Sequence, residues 1–163
     1  MRILGIDPGS VTTGYGLIEG DRGRMRHVDN GGIFLSSKRS LCERVLEIHD
    51  QIEALIGRFT PDALALEDIF YAKNVSSTLK LGHARGAVMV AAGRATVPVF
   101  EYSALQVKQA VTGYGHASKE QVQKMIRTLL QLPDIAFTDA SDALAVAVCH
   151  FHSHRLLKKV KTA

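Results

Sequence analysis

The chain has 163 residues, 46% of them in the hydrophobic class and 22% charged, enough for one domain with its own core and ordinary in composition for a globular protein. Its longest apolar runs, such as Ala87-Val88-Met89-Val90-Ala91-Ala92, are far too short to cross a bilayer, so no membrane association is expected. Twenty basic residues against 16 acidic leave a net charge of +4, compatible with a polyanionic partner but too mild to name one.

Residues 3–6 form a short apolar strand that runs into Asp7-Pro8-Gly9. Thr13–Glu19 and about Arg26–Leu35 read as two further strands, with Gly20-Asp21-Arg22-Gly23 as the turn between them. Over residues 40–58, Leu41, Val45, Ile48, Ile52, Leu55 and Ile56 recur at helical spacing. Thr60-Pro61-Asp62 breaks that helix, and Ala63-Leu64-Ala65-Leu66 is a second buried-type strand ending in Glu67. A helix rich in Ala and Gly follows over Ser76–Ala95, then a short strand, Val97–Phe100, and helices over Ala104–Val111, Lys119–Leu130 and Asp139–Leu157. Strands first, then strands alternating with helices, predict an α/β fold with a mixed sheet, an antiparallel hairpin at one side and helices on its faces. With no repeat, low-complexity segment or linker, one domain over 1–163 is expected. The N-terminus lacks the apolar stretch and cleavage site of a signal peptide. The two cysteines, Cys42 and Cys149, show no pairing pattern, and the expected compartment is the cytoplasm.

Two acids share a context. Asp7 and Glu67 each close a short, wholly apolar strand of the kind found in the middle of a covered sheet. If those strands are parallel neighbours, the two carboxylates lie side by side at the sheet end where α/β folds bind ligands. Taken singly, each reads first as a solvated residue opening a loop. Asp139 and Asp142 lie three apart, on one face at the start of the last helix. That position also suits acids that merely cap the helix and favour its dipole. The continuation Ala143-Leu144-Ala145-Val146-Ala147-Val148-Cys149 is apolar almost all round, so the helix is expected to be buried, and a carboxylate beside it needs a partner. Oxygen donors without a clustered Cys/His set point to Mg²⁺ or Mn²⁺ rather than Zn²⁺. Two such ions about 4 Å apart suit phosphodiester hydrolysis. His150, His152 and His154 alternate, and residues two apart on a helix point different ways, so they read as surface residues.

Four motifs carry a family resemblance. The first is Gly5-Ile6-Asp7-Pro8-Gly9-Ser10 with Thr13-Gly14-Tyr15-Gly16. The second is Leu66-Glu67-Asp68-Ile69-Phe70 with Asn74. The third runs Val107-Lys108-Gln109-Ala110-Val111-Thr112-Gly113-Tyr114-Gly115 and on through Lys119, Gln121-Val122-Gln123 and Met125, and the fourth is Asp139-Ala140-Ser141-Asp142-Ala143-Leu144-Ala145. In this order, spanning nearly the whole chain, they resemble the RuvC-type Holliday junction resolvases. The first motif alone also resembles the phosphate loop of actin-like ATPases, but that fold needs two lobes and a second phosphate loop, and this chain has neither.

The resemblance implies an RNase H-like fold with a five-stranded sheet, a homodimer, a four-way DNA junction as substrate, and paired symmetric nicks in recombination and repair. It implies Asp7, Glu67, Asp139 and Asp142 as ligands of two Mg²⁺ ions, replaceable by Mn²⁺. With no Ser, Cys or His nucleophile system in view, water is the expected nucleophile, in line with the departing 3′ oxygen. Asp7, on a central strand, is expected between the ions, with Glu67 and Asp142 on either side. Lys119, opening a helix after a Gly-rich loop expected to be flexible, is a candidate to neutralise charge in the transition state, with Lys108 as a second; both also read as solvated lysines. Phe70 is either a wedge that stacks on unpaired bases or a core residue. Lys73, Lys80, Arg85, Lys124 and Arg127 are candidate phosphate contacts. Gly14 and Gly16 either admit the DNA backbone close to the metals or serve turn and bulge geometry. The apolar residues of the Ser76–Ala95 helix (Leu79, Leu81, Ala84, Ala87, Val88, Ala91 and Ala92) are a candidate dimer surface or simply core. Docking of branch-migration helicase proteins is left open by the sequence.

Overall fold

The computed structural model describes residues 1–68 and 75–161, with side chains described as far as 154. Its elements in chain order are β1 (Arg2–Asp7), β2 (Thr12–Asp21), β3 (Arg24–Phe34), α1 (Leu41–Phe59), β4 (Ala63–Glu67), α2 (Val75–Arg94), β5 (Val99–Tyr102), α3 (Ala104–Thr112), α4 (Lys119–Leu130) and α5 (Thr138–Lys161). They build one five-stranded sheet in the order β3-β2-β1-β4-β5. The β1–β2 and β2–β3 pairs are antiparallel, and the β1–β4 and β4–β5 pairs are parallel. This is the expected mixed sheet, with its hairpin at one side.

Two local expectations shift. The hairpin turn is tighter than four residues: Asp21 already pairs with Arg24, and Arg22 and Gly23 alone turn the chain, both at positive φ. That is the two-residue geometry whose twist matches the flanking strands. The last strand starts at Val99 and runs through Tyr102, two residues later than its apolar run suggests, because pairing with Leu64–Glu67 sets its bounds.

Side-chain alternation along the central strands sorts the core into two layers. Leu4, Ile6, Leu64 and Leu66 pack with α1 and α2, whereas Ile3 and Ala65 pack with α3, α4 and α5. Five residues of the proposed dimer surface, Ala84, Ala87, Val88, Ala91 and Ala92, are buried in this first layer. They are core, because a sheet face of Leu and Ile needs small residues on the helix that covers it. Leu81 is half-buried, and Leu79 keeps 60% exposure.

Gly14 and Gly16 are explained by α5 rather than by DNA. A β-carbon on Gly14 would stand 2.1 Å from the Asp139 carbonyl oxygen, and one on Gly16 would stand 2.6–2.8 Å from Leu144. Gly5 on β1 is equally close to the Ala143 carbonyl. Glycine at these positions lets α5 lie directly on the middle of the sheet, which fixes where its first turn falls. Thr13, fully buried, anchors the loop after β1 by donating to the Gly9 carbonyl at 2.9 Å and accepting from the Gly9 N–H at 3.2 Å.

His150 contradicts the surface reading. It is 2% exposed, packs 4.4 Å from the Phe100 ring, and shares a 2.7 Å hydrogen bond between Nδ1 and the Tyr102 hydroxyl. Burial, and then the neighbouring His154, pull its pKa down to about 4, so it is neutral. An α5 that is apolar all round has no surface side in this stretch. His152 meets the Ala110 carbonyl at 3.0 Å.

Candidate active site

Ile6 pairs with Leu66 across the parallel β1–β4 junction, so Asp7 and Glu67 come at the next step of the two neighbouring strands. Both follow the alternation of Ile3, Gly5 and Ala65 and project to the α5 side. There α5, held close by the glycines, brings in Asp139 from its first turn and Asp142 from the next. A cleft of about 470 Å³ opens at this edge, lined among others by Asp7, Glu67, Asp68, Lys108, Lys119 and Asp142. Asp139 is half-buried just outside that lining.

The electrostatics record the crowding. Burial first, then the charges of Asp142, Glu67 and Asp139, raise the Asp7 pKa to about 7, with Lys119 opposing. Glu67 is raised by burial and by Asp142, with Lys119 and Lys108 opposing. Burial also raises Asp142, against the hydrogen bond and charge of Lys119. Three carboxyls pushed in the same direction on one side of a cleft form a site short of positive charge.

Lys119 supplies part of that charge. Its Nζ lies 2.6 Å from Asp142 Oδ2. Burial pulls its pKa down, but the Asp142 hydrogen bond and the charges of Asp142, Asp7 and Asp139 outweigh this, leaving it raised. Its position is set by a complete capping box: Ser118 accepts from the Gln121 N–H, and the Gln121 side chain accepts from the Ser118 N–H, so Lys119 opens α4 in a fixed place. The loop before it is also held. Gly113 caps α3, Thr112 Oγ1 accepts from the Tyr114 N–H at 3.1 Å, and Ala117 is buried.

The donor set fits a hard divalent cation: carboxylate oxygens from three elements, with their mutual repulsion only partly offset by Lys119. Among the described residues, no three His, Cys, Asp or Glu side chains are gathered tightly enough to hold an ion as they stand. One of these carboxylates, Asp142, is instead paired with the Lys119 ammonium.

The remaining candidates divide. Lys80, Lys124 and Arg127 are exposed, and Lys108 is half-buried in the cleft wall. Phe70 and Lys73 lie outside the described residues. Arg85 requires correction. It is 8% exposed and points inward, with its guanidinium engaged by Glu101, Asp68 and the Glu67 carbonyl, so it does not offer itself to a phosphate. A signal for this was present in the spacing Leu81, Arg85, Val88 and Ala92, which puts Arg85 in phase with the buried stripe of α2. Glu101 and Tyr102, on a short edge strand, carried no such signal.

Comparison with known proteins places these features in a family. Residues 3–150 match the family model described as Crossover junction endodeoxyribonuclease RuvC. A protein of that name from Pelobacter propionicus is 55% identical over 163 residues, covering 100% of this chain and 93% of the relative. The structure of Thermus thermophilus RuvC superposes with a TM-score of 0.87 at 38% identity, covering 96% of each chain. The same protein in complex with a Holliday junction substrate gives 0.92 at 37% identity, again over 96% of each. No helix among the described residues is long and apolar enough to cross a membrane.

Proposed function

The chain belongs to the RuvC family of crossover junction endodeoxyribonucleases, and from that premise we propose that its carboxylate cluster is the metal centre at which a four-way DNA junction is cut. The observation that carries this reading is the convergence of Asp7 and Glu67, from adjacent parallel strand ends, with Asp142 from the N-terminal end of α5 in one cleft. The family uses divalent metal, and we take the ions to be two Mg²⁺, with Mn²⁺ as a substitute. Bound there, they supply activation of a water and stabilisation of the departing 3′ oxygen.

The protein's own groups do the rest. Asp7, on the central strand, would be a ligand to the ions, with Glu67 and Asp142 as the others lining the same cleft. Asp139 stands behind them and completes the negative field. Lys119, a lining residue of the cleft now paired with Asp142, would be free to offer its ammonium to the phosphate once Asp142 served as a metal ligand. Lys108, from α3, adds a second cation to the lining of the cleft. Exposed Lys80, Lys124 and Arg127 extend a basic track for the DNA backbone. Water attacks phosphorus in line, the P–O3′ bond breaks, and the products are a 5′-phosphate and a 3′-hydroxyl.

Resolution needs two nicks in strands of like polarity, and one chain, read as one domain, holds one such site. A two-fold homodimer matches the symmetry of the junction. Support for a seam comes from the apolar groove between α1 and α2, where Leu46, Leu79 and Val90 remain 56–60% exposed. We place the enzyme in the cytoplasm, in keeping with a DNA substrate and with unpaired Cys42 and Cys149. Incubation of labelled four-way junction and linear duplex with Mg²⁺ tests the function. Paired nicks confined to the junction are expected, and equal cutting of both substrates would overturn it.

A further inference from the structure

Arg85, 8% exposed, is the one buried Lys, Arg, Asp or Glu among the residues whose side chains are described. A guanidinium is removed from water at a cost that only well-placed partners offset. Nη1 donates to the Glu67 carbonyl at 2.7 Å, and Nη2 lies 2.6 Å from Glu101 Oε1 and 3.9 Å from Asp68 Oδ1. These partners are the end of β4 and its neighbour on β5. Leu66 pairs with Glu101, Glu67 pairs with Tyr102, and the Asp68 N–H donates to the Tyr102 carbonyl at 2.8 Å. Arg85 reaches them from α2, on the opposite side of the sheet from the cleft into which the Glu67 side chain projects.

We propose that Arg85 is a positioning residue for Glu67, clamping the Glu67 carbonyl and the β4–β5 junction so that the Glu67 carboxylate is aimed at the metal centre. Its action is geometric: the charges that act on the Glu67 carboxyl are those of Asp142, Lys119 and Lys108. A guanidinium suits the task because its planar fork holds a carbonyl and a carboxylate at once, which an ammonium does less well. Groups that orient a metal ligand in this way commonly change metal affinity by about 10–100-fold when removed. The inference rests on Glu67 being a metal ligand.

The test is Mn²⁺ binding to the full-length protein without DNA, followed by the electron paramagnetic resonance of free Mn²⁺. It is run on wild type, Arg85→Met, Arg85→Lys and the charge-balanced double variant Arg85→Met/Glu101→Gln, alongside thermal unfolding and junction binding in EDTA. Arg85→Met is expected to raise the Mn²⁺ half-saturation about tenfold or more, Arg85→Lys by less, with junction binding in EDTA unchanged. The double variant should regain stability yet remain weak for Mn²⁺, which a merely structural ion pair would not produce. If Arg85→Met does not fold, the lysine and double variants carry the same comparison. Wild-type Mn²⁺ affinity in the folded variants would overturn the proposal, as would a loss of junction binding in EDTA as large as the loss of Mn²⁺ affinity. Wild-type Mn²⁺ binding that Glu67→Gln leaves intact would overturn the metal-centre reading itself.

Discussion

Replacing Asp7 with Asn should stabilise the metal-free protein while destroying its activity. In the folded chain Asp7 titrates near 7 instead of its ordinary 3.8. Below about pH 4 the residue is protonated whether the chain is folded or not. Between pH 4 and 7 the folded form holds a proton that the unfolded chain has released, so stability falls as pH rises through this window. Above 7 the full penalty remains. At about 1.4 kcal/mol for each tenfold change in proton affinity, a rise from 3.8 to about 7 amounts to roughly 4 kcal/mol at most. The buried amide that replaces the carboxylate itself needs partners, at about 1–2 kcal/mol, so the net gain is about 2 kcal/mol. For a chain of this size that is about 4–8 °C in Tm. Thermal unfolding in EDTA at pH 8 and pH 5 reads it directly: Asp7→Asn should melt higher at pH 8, and the gap should narrow markedly at pH 5. Added Mn²⁺ should raise the wild-type Tm and leave the variant little changed. A variant no more stable than wild type at pH 8, or a gap independent of pH, would refute the electrostatic reasoning.

Other perturbations separate chemistry from binding and packing. Glu67→Gln should abolish nicking while junction affinity in Ca²⁺ holds or rises, because negative charge near the phosphates is removed; gel shift and cleavage assays on one junction compare the two. Lys119→Ala should lower the single-turnover cutting rate by at least about tenfold with a smaller loss of affinity, as expected for a charge used in the transition state. Equal losses would reduce it to a phosphate contact. Gly14→Ala should destabilise the fold by about 1–3 kcal/mol or more, because its β-carbon meets the Asp139 carbonyl. Chemical denaturation measures that cost, and an unchanged midpoint would show that α5 has room to move. In a mixed dimer carrying one Asp7→Asn subunit, the intact subunit should still nick its own strand, leaving singly nicked junctions on a denaturing gel; two nicks from such a dimer would exclude one site per subunit.

The convergence of carboxylates at one sheet edge was readable because it depends on local patterns. Ile3–Ile6 and Ala63–Leu66 are short apolar strands, each ending in an acid, and parallel pairing of two such strands can only bring those acids together. Asp142 was readable for a related reason, a carboxylate three residues past a cap and ahead of a helix that must be buried. What escaped was set by contacts distant in sequence. Gly14 and Gly16 look like turn or DNA-approach glycines until α5 is seen lying on them. Arg85 looks like a surface cation because its partners, Glu67, Asp68 and Glu101, come from β4, the residue after it and β5. His150 looks solvated because its alternating neighbours hide the fact that this part of α5 has no exposed side.

Crystals of the protein soaked in Mn²⁺ provide the most direct measurement, because anomalous scattering locates the ion without reference to activity. Density is expected between Asp7, Glu67 and Asp142, with Lys119 Nζ withdrawn from Asp142 beyond its present 2.6 Å. Mn²⁺ bound elsewhere, or no Mn²⁺ at this edge under conditions in which the protein cuts junctions, would contradict the assignment of the carboxylate cluster as the catalytic metal centre.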